Sequence, residues 1–220
     1  MSDAATLTFY TNPMSRGRIV RWMLEEVGQP YETVLLGYGD TMKGEEYRAI
    51  NPMGKVPAIR HGDTVVTEAA AICAYLADAF QDAGLAPPPG NPLRGPYYRW
   101  MFFAAGPVEA VITGKAMGLL APPDKAMMAG YGTFEATIDT LESAAKSASP
   151  FLCGEQFTAA DVYVGASIGW GMQFGIIEKR PAFTDYVGRI TAREAYKRAV
   201  EIDDTLIAEQ QAQQPSPPAA

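Results

Sequence analysis

A proline interrupts a segment that otherwise has the composition of a β-strand. Pro57 follows Lys55 and Val56 and precedes Ala58 and Ile59. Proline has no backbone N–H to donate to a neighbouring strand, and it restricts the residue before it to an extended conformation. The middle of a paired, central strand is therefore excluded here. We predict that Pro57 begins a strand, lies at a sheet edge, or follows a cis peptide bond in a turn.

Around Pro57, short strand patterns alternate with helical patterns. The apolar periodicity predicts strands at 6–10, 31–36, 56–60 and 64–67, and helices at 18–27, 44–50 and 68–79. A helix between two strands favours parallel pairing, whereas the turn at 61–63 favours an antiparallel hairpin. We expect residues 1–80 to form a small mixed α/β domain.

The remainder of the chain has almost no strand pattern. Residues 81–96 are rich in proline and glycine and are predicted to be a linker, because these residues interrupt helices and strands. Four runs, 97–117, 124–147, 159–176 and 194–213, have helical periodicity, and residues 97–208 are expected to form an all-helical domain with a kink at Gly106 and Pro107. The polar, proline-rich residues 209–220 are predicted to be a disordered tail.

Composition excludes several classes of function. The chain has 18 basic and 25 acidic residues, a net charge of −7, so we expect no nucleic-acid partner. It has no apolar run of membrane-spanning length and no secretory signal pattern, which predicts a cytoplasmic protein without a membrane partner. Two distant cysteines, Cys73 and Cys153, and one histidine, His61, argue against a disulfide framework and a metal site.

Three segments together resemble the soluble glutathione transferases. They are NPMGKVPAI at 51–59, TEAAAICAYLAD at 67–78 and GEQFTAADV at 154–162, and they occur in the order and spacing of that family. The loop before the first helix, YTNPMSRGR, resembles that of bacterial-like, serine-type members. The resemblance covers about residues 6–205 and implies an N-terminal thioredoxin-like domain with a cis-proline, an all-helical C-terminal domain, and a homodimer.

The resemblance also implies a site for glutathione as co-substrate, without a metal. In the family, the residue at Val56 pairs its backbone with the cysteinyl part of glutathione, and the proline at Pro57 is cis. Glu68 and Ala69 begin a helix whose N–H groups would bind the γ-glutamyl carboxylate. The remaining candidate contacts are basic residues, Lys55, Lys43 and Arg18. Ala69 departs from the family, which usually has serine or threonine there, so one hydroxyl contact to glutathione is lost.

The thiol of glutathione needs a donor, because an ordinary thiol with a pKa near 8.5 is only a few per cent ionised at neutral pH. Ser15 lies at the start of the first helix and is the first candidate, although serine also favours this position as a helix cap. Tyr10, Thr11 and Asn12 are alternative donors in the same loop. The loop has no cysteine, which argues against mixed-disulfide chemistry.

The helical domain is expected to bind an apolar, electrophilic second substrate. Its candidate contacts are apolar side chains, Met101, Phe102, Pro107, Trp170 and Phe174. The function implied by the resemblance is conjugation of glutathione to such electrophiles, as in detoxification. A non-catalytic ligand-binding protein and a glutathione-dependent isomerase or lyase remain alternatives.

The Thr158-x-x-Asp161 segment is interpreted differently, as a capping box that starts a helix. Phe157 and Val162 have the spacing of a hydrophobic staple around it. We predict that these residues stabilise the fold and that Asp161 is not a catalytic acid.

Overall fold

The computed structural model describes residues 6–213. Strands and helices alternate in its first part, from Leu7 to Ala79. The predicted order is confirmed: β1 (Leu7–Thr11), α1 (Gly17–Val27), β2 (Glu32–Leu35), α2 (Glu45–Arg48), β3 (Ala58–His61), β4 (Thr64–Thr67) and α3 (Ala69–Ala79). Helix α1 ends where Gly28 adopts a left-handed conformation, φ 70°, which glycine tolerates because it has no side chain.

The four strands form one mixed sheet in the order β2-β1-β3-β4. Strand β1 is parallel to β2 and antiparallel to β3, and β3 is antiparallel to β4. This arrangement confirms the predicted thioredoxin-like architecture, with the hairpin between β3 and β4 at one side. The Val56–Pro57 peptide bond is cis and directly precedes β3. Of the alternatives open for Pro57, the structure therefore shows a cis bond at a strand start.

Two clusters of buried side chains cover the two faces of the sheet. On one face, Leu7 and Phe9 of β1 are 2% and 0% exposed, and Arg21 of α1 lies over the Phe9 ring. On the other face, a cluster is formed by Leu36, Met42, Tyr47 and Ala58, with Tyr10, Ile50 and Val56 packed against it. The alternation along β1 places successive side chains on opposite faces, as a half-buried strand requires.

Helices make up the rest of the described chain. They are α4 (Arg94–Phe103), α5 (Glu109–Met117), α6 (Phe134–Ser147), α7 (Ala159–Gln173), α8 (Pro181–Thr191) and α9 (Glu194–Gln213). A π-helical turn at Ala104–Val108 joins α4 to α5 and contains Pro107, so the helical hydrogen-bond pattern changes where the sequence predicted a kink. Helix α8 lies outside the runs for which helical periodicity was predicted. No helix among residues 6–213 has the length and apolarity needed to cross a bilayer.

The described residues divide into two units whose boundary differs from the one expected from sequence. The first unit comprises residues 6–75 and 194–213, and the second comprises residues 76–193. Helix α9 therefore belongs with the sheet, since it packs along α1, whereas the sequence placed it in an all-helical domain at 97–208. The disordered tail expected from residue 209 is contradicted for residues 209–213, because α9 continues to Gln213; residues 214–220 lie outside the described residues.

Candidate functional site

The strand register brings four loop segments to one end of the sheet. Tyr10 at the end of β1 lies opposite Ala58 at the start of β3, and Ala58 lies opposite Thr67 at the end of β4. Thr11 pairs with Leu35 at the end of parallel strand β2. The segments that follow β1, β2 and β4, and the one that precedes β3, therefore converge. They contain the expected glutathione contacts Lys43, Lys55, Val56, Pro57 and Glu68, whereas Ala69 begins α3 and Arg18 lies in the first turn of α1.

Ser15 is half-buried in the loop between β1 and α1, which we call the serine loop (Asn12–Arg16). Its hydroxyl donates to the carbonyl of Asn12 at 2.7 Å and accepts from the N–H of Gly17 at 2.9 Å. Ser15 thus satisfies one of the free N–H groups at the start of α1. The Ser15 hydroxyl can donate to a thiolate only after it rotates away from the Asn12 carbonyl.

The alternative donors in this loop have other contacts. The Asn12 amide is buried, donates to the Leu36 carbonyl at 2.8 Å and accepts from the Met14 N–H at 3.0 Å. The Thr11 hydroxyl is buried, and the Tyr10 ring packs against Tyr47 with the centroids 5.7 Å apart. Among the four candidates, the Ser15 hydroxyl is therefore the one that can reorient without opening the core.

Gly17 leaves the space that the serine loop needs, and it was not among the site residues predicted from sequence. A Cβ atom on Gly17 would lie 1.9 Å from Oγ1 of Thr11 and 3.0 Å from Oγ of Ser15. Any side chain at position 17 would therefore displace both hydroxyls. The signal in the sequence was the glycine itself, which has an unfavourable helix propensity in the first turn of α1.

The Val56 backbone lies next to this loop with unused hydrogen-bonding capacity. Among residues 6–213, neither its N–H nor its C=O takes part in a hydrogen bond. The preceding carbonyl, of Lys55, accepts from the Tyr47 hydroxyl at 2.6 Å and from the Asn51 amide at 2.8 Å, so the segment is held in place. A fixed, unpaired backbone directly before a strand can pair with a peptide as a short added strand.

Glu68 and α3 complete the polar end of the sheet. Glu68 has φ 68°, a left-handed conformation that is strained for a residue with a side chain, and no described residue contacts its carboxylate by a hydrogen bond or ion pair. The N–H groups of Ala69 and Ala70, at the start of α3, also lack acceptors among the described residues. This end of α3 can therefore accept a carboxylate.

The three basic candidates differ in what they contact. Lys43 donates from Nζ to the Gly54 carbonyl at 2.5 Å, so it braces the loop before Lys55. Lys55 is exposed, and no described residue forms an ion pair with it. Arg18 forms an ion pair with Asp204 of α9 at 2.8 Å, so the structure does not show it free to neutralise a ligand. Of the three side chains, that of Lys55 has neither an ion pair nor a hydrogen bond to another described residue.

The apolar candidates lie in the second unit and are not equally accessible. Phe102 and Phe174 are 73% and 70% exposed, whereas Met101 is 4% exposed and packs in the core of that unit. Pro107 and Trp170 are half-buried. Because Met101 is buried, its side chain is not accessible for the substrate contact expected from sequence.

The thiols and acidic groups elsewhere are arranged for folding. Burial raises the pKa of the Cys153 thiol to about 11 and raises that of Cys73 as well, so both thiols are protonated at neutral pH. The Asp161 carboxylate is buried at the start of α7 and accepts from the Thr158 N–H at 3.0 Å, as the capping box predicted. No cluster of metal-ligating side chains occurs within residues 6–213.

Comparison with known proteins relates this chain to one family. The chain is similar to glutathione S-transferases, and its residues 14–79 match the family model for "Glutathione S-transferase, N-terminal domain". A relative named glutathione S-transferase GstA, from Escherichia coli O157:H7, is 28% identical over 195 residues, which are 84% of this chain and 90% of the relative.

Solved structures of glutathione transferases share the whole architecture. One from Methylococcus capsulatus superposes with a TM-score of 0.76 at 27% identity, covering 91% of this chain and all of the other. A glutathione transferase homologue from Sulfitobacter, solved with bound glutathione, has a TM-score of 0.72 at 27% identity and covers 90% of this chain and 98% of its own. The resemblance to glutathione transferases that rests on the three sequence segments is therefore confirmed.

Proposed function

We propose that this protein is a serine-type glutathione transferase that joins the sulfur of glutathione to an electrophilic carbon of an apolar compound. The observation that carries this proposal is the convergence, at one end of the sheet, of Ser15, the unpaired Val56 backbone and the open start of α3. The Ser15 hydroxyl is a hydrogen-bond donor for the sulfur of glutathione, the Val56 backbone can pair with its cysteinyl peptide unit, and the start of α3 can bind its γ-glutamyl carboxylate.

Each end of glutathione has a counterpart among these residues. The N–H groups of Ala69 and Ala70, in the positive field of the α3 dipole, bind the γ-glutamyl carboxylate, and Glu68 binds its ammonium group. Val56 pairs with the cysteinyl unit, and Lys55 faces the glycyl carboxylate. Ala69 supplies no hydroxyl, so we expect weaker binding than a serine would give, by roughly 1.5 to 3 kcal/mol for a bond to a charged group.

Ser15 acts on the sulfur. Its hydroxyl turns from the Asn12 carbonyl and donates to the thiolate, which lowers the thiol pKa, since each unit corresponds to about 1.4 kcal/mol of preferential stabilisation of the anion. The thiol proton leaves to solvent. The sulfur lone pair then forms the bond to carbon, and the leaving group departs with the electron pair of the broken bond. The exposed apolar side chains of the second unit, Phe102 and Phe174 foremost, are the proposed contacts for the electrophile.

The test compares the wild type with Ser15→Ala and Ser15→Thr. Glutathione affinity is measured by calorimetry, and the thiol pKa in the complex by ultraviolet absorbance of the thiolate. We expect wild type and Ser15→Thr to lower the thiol pKa, and Ser15→Ala to bind glutathione with similar affinity without lowering it. A thermal melt of each variant controls for the lost hydrogen bond to Gly17. Wild-type protein that binds glutathione but leaves the thiol unperturbed would contradict the proposal.

A non-catalytic ligand-binding protein is the second candidate. Two observations favour it: Ala69 lacks the usual hydroxyl, and the Ser15 hydroxyl is already donated within the loop. This reading predicts tight binding of apolar ligands with negligible conjugation. A glutathione-dependent isomerase differs from both, because product forms without net consumption of glutathione. Assays that follow product formation together with glutathione consumption separate these candidates, and identification of the product distinguishes a lyase.

The assembly and location are proposed from the family and the sequence. We propose a homodimer, which light scattering at several concentrations tests directly, and a cytoplasmic protein involved in detoxification. An aromatic pair on α4, Tyr98 and Phe102, is exposed with its ring centroids 6.3 Å apart, so a dimer has apolar surface available to bury.

A further inference from the structure

Three ion pairs between described residues join helix α9 to α1, and they differ in burial. Arg21 pairs with Asp203 at 3.2 Å, and both side chains are 2% exposed. The other two pairs are at the surface, Arg18–Asp204 at 2.8 Å and Arg198–Glu25 at 3.1 Å. They lie towards opposite ends of α1, with Arg18 in its first turn and Glu25 in its last.

The buried pair holds α9 at a defined place along α1. Besides Asp203, the Arg21 guanidinium donates to the Tyr31 hydroxyl at 3.0 Å and to the Thr33 hydroxyl at 2.9 Å, and it lies over the Phe9 ring. A buried charge that loses its partner is strongly unfavourable, so α9 cannot slide without breaking this network. Asp204, the next residue of α9, is therefore presented to α1 in a fixed position.

Arg18 connects that position to the serine loop. One of its terminal nitrogens, Nη2, donates to Asp204, and the other, Nη1, lies 3.4 Å from the Pro13 carbonyl and donates to it. The next carbonyl of the loop, that of Met14, accepts from the Tyr38 hydroxyl at 3.2 Å. Two successive carbonyls that immediately precede Ser15 are thus held from two directions, by Arg18 and by Tyr38.

We propose that Arg18 is a positioning residue for the serine loop, and that Asp204 of the C-terminal helix sets its orientation. Through this connection α9 influences how well Ser15 is placed to stabilise the thiolate. The guanidinium is planar and reaches two acceptors at once, which a lysine ammonium on a flexible stem does not reproduce. The inference rests on the proposed function, because its effect is exerted on the glutathione thiol through Ser15.

If Asp204 positions Arg18, removing its charge should change the thiol pKa in one direction. If Asp204 acts only through its charge, the same substitution should change the thiol pKa in the opposite direction. Asp204 carries a negative charge near the serine loop, so removing it would by itself favour the thiolate and lower the thiol pKa. If instead Asp204 acts by holding Arg18, removing it loosens the loop and raises the thiol pKa. The direction of the change therefore distinguishes the two mechanisms.

The experiment measures the pKa of bound glutathione by thiolate absorbance in wild type, Asp204→Asn, Asp204→Glu and Arg18→Lys. We expect Asp204→Asn and Arg18→Lys to raise it by about 0.5 unit, the size of effect that a single exposed ion pair has on an equilibrium. Asp204→Glu, which keeps the charge and can still reach Arg18, is expected to stay near wild type. Urea unfolding midpoints should stay unchanged, since Asp204 is 60% exposed.

Glu25→Gln is the matched control. It also converts a carboxylate of an α1–α9 ion pair to an amide, but at the end of α1 away from the serine loop, and it should leave the thiol pKa unchanged. An Asp204→Asn variant that lowers the pKa, or leaves it as in wild type, overturns the inference while the proposed function stands. A wild-type protein that leaves the thiol unperturbed overturns the proposed function and this inference together.

Discussion

The helices α7 and α3 both begin beside a carboxylate, but one start is closed and the other is open. At α7, the Asp161 carboxylate is buried and accepts from the Thr158 N–H, the Leu152 N–H and the Tyr186 hydroxyl at 2.9 to 3.0 Å. Burial raises the pKa of Asp161, while these hydrogen bonds act in the opposite direction. All of these hydrogen-bond donors belong to the second unit, so the Asp161 carboxylate stabilises that unit.

At α3, the corresponding groups face outward. Glu68 is exposed in a left-handed conformation, and the first N–H groups of the helix lack acceptors within the described chain. A helix start that is satisfied by its own residues stabilises the fold, whereas one held open by a strained residue is available to a ligand. We infer that substitutions at α7 change stability and substitutions at α3 change glutathione binding.

The largest effect is expected from Asp161→Ala. It leaves the Leu152 and Thr158 N–H groups and the Tyr186 hydroxyl buried without an acceptor, which destabilises the fold by about 3 kcal/mol or more, since each such group costs about 1 to 3 kcal/mol. Urea unfolding measures the loss. The exposed neighbour variant Glu155→Ala should stay within about 0.5 kcal/mol of wild type. A loss below about 1 kcal/mol for Asp161→Ala would remove the contrast between the two helix starts.

Ala69→Ser should act on binding instead of stability. It restores a hydroxyl at the start of α3, and one added hydrogen bond to a charged carboxylate is expected to tighten glutathione binding roughly 10- to 150-fold in calorimetry. The control is Ala71→Ser, an exposed position of the same helix, which should leave the affinity as it is. Equal affinities for Ala69→Ser and wild type would argue that the carboxylate of glutathione does not bind here.

Glu68→Gly separates strain from binding. Glycine adopts φ 68° without a steric penalty, so the unfolding free energy should rise by about 0.5 to 1 kcal/mol while glutathione affinity falls. Glu45→Gly, in the ordinary helical backbone of α2, should lower stability by a similar amount. If Glu68→Gly destabilises the protein, the open start of α3 is not a strained feature.

The smallest effect concerns the two cysteines, one near each helix start. Cys153 lies 4.0 Å from the Thr158 hydroxyl at α7, and Cys73 lies within α3. Because burial raises both thiol pKa values, neither should react with a thiol reagent at about pH 8 until the protein unfolds. In Asp161→Ala, Cys153 should become reactive before Cys73, which mass spectrometry of the labelled peptides would show. Simultaneous labelling of both would indicate global unfolding only.

Much of the first unit was predictable because its signals are local. The alternation of β1, the stop at Gly28 and the turn between β3 and β4 each depend on a few neighbouring residues. Helix α8 was missed for the opposite reason. Its buried residues, Phe183, Tyr186 and Ile190, are spaced for one face, but Pro181 and Gly188 obscure the pattern, and the helix is stabilised by packing on α6 and α7.

The candidate site was predictable in its residues more than in their contacts. Pro57, Glu68 and Ser15 carry chemical signals that are visible in sequence. That Arg18 is paired with Asp204, or that Lys43 braces the Gly54 carbonyl, depends on which segments meet in space. Gly17 shows the same limit, since the need for glycine arises from the Thr11 side chain above it.

The sequence by itself determined the order of strands and helices, the special role of Pro57 and the similarity to glutathione transferases, because hydrophobic periodicity, proline geometry and short segments are properties of neighbouring residues. Only the tertiary structure decided that α9 belongs with the sheet, through a buried ion pair between residues 182 positions apart in the chain. Such a pair forms when folding removes two charges from water together, and no local sequence pattern predicts which arginine will pair with which aspartate.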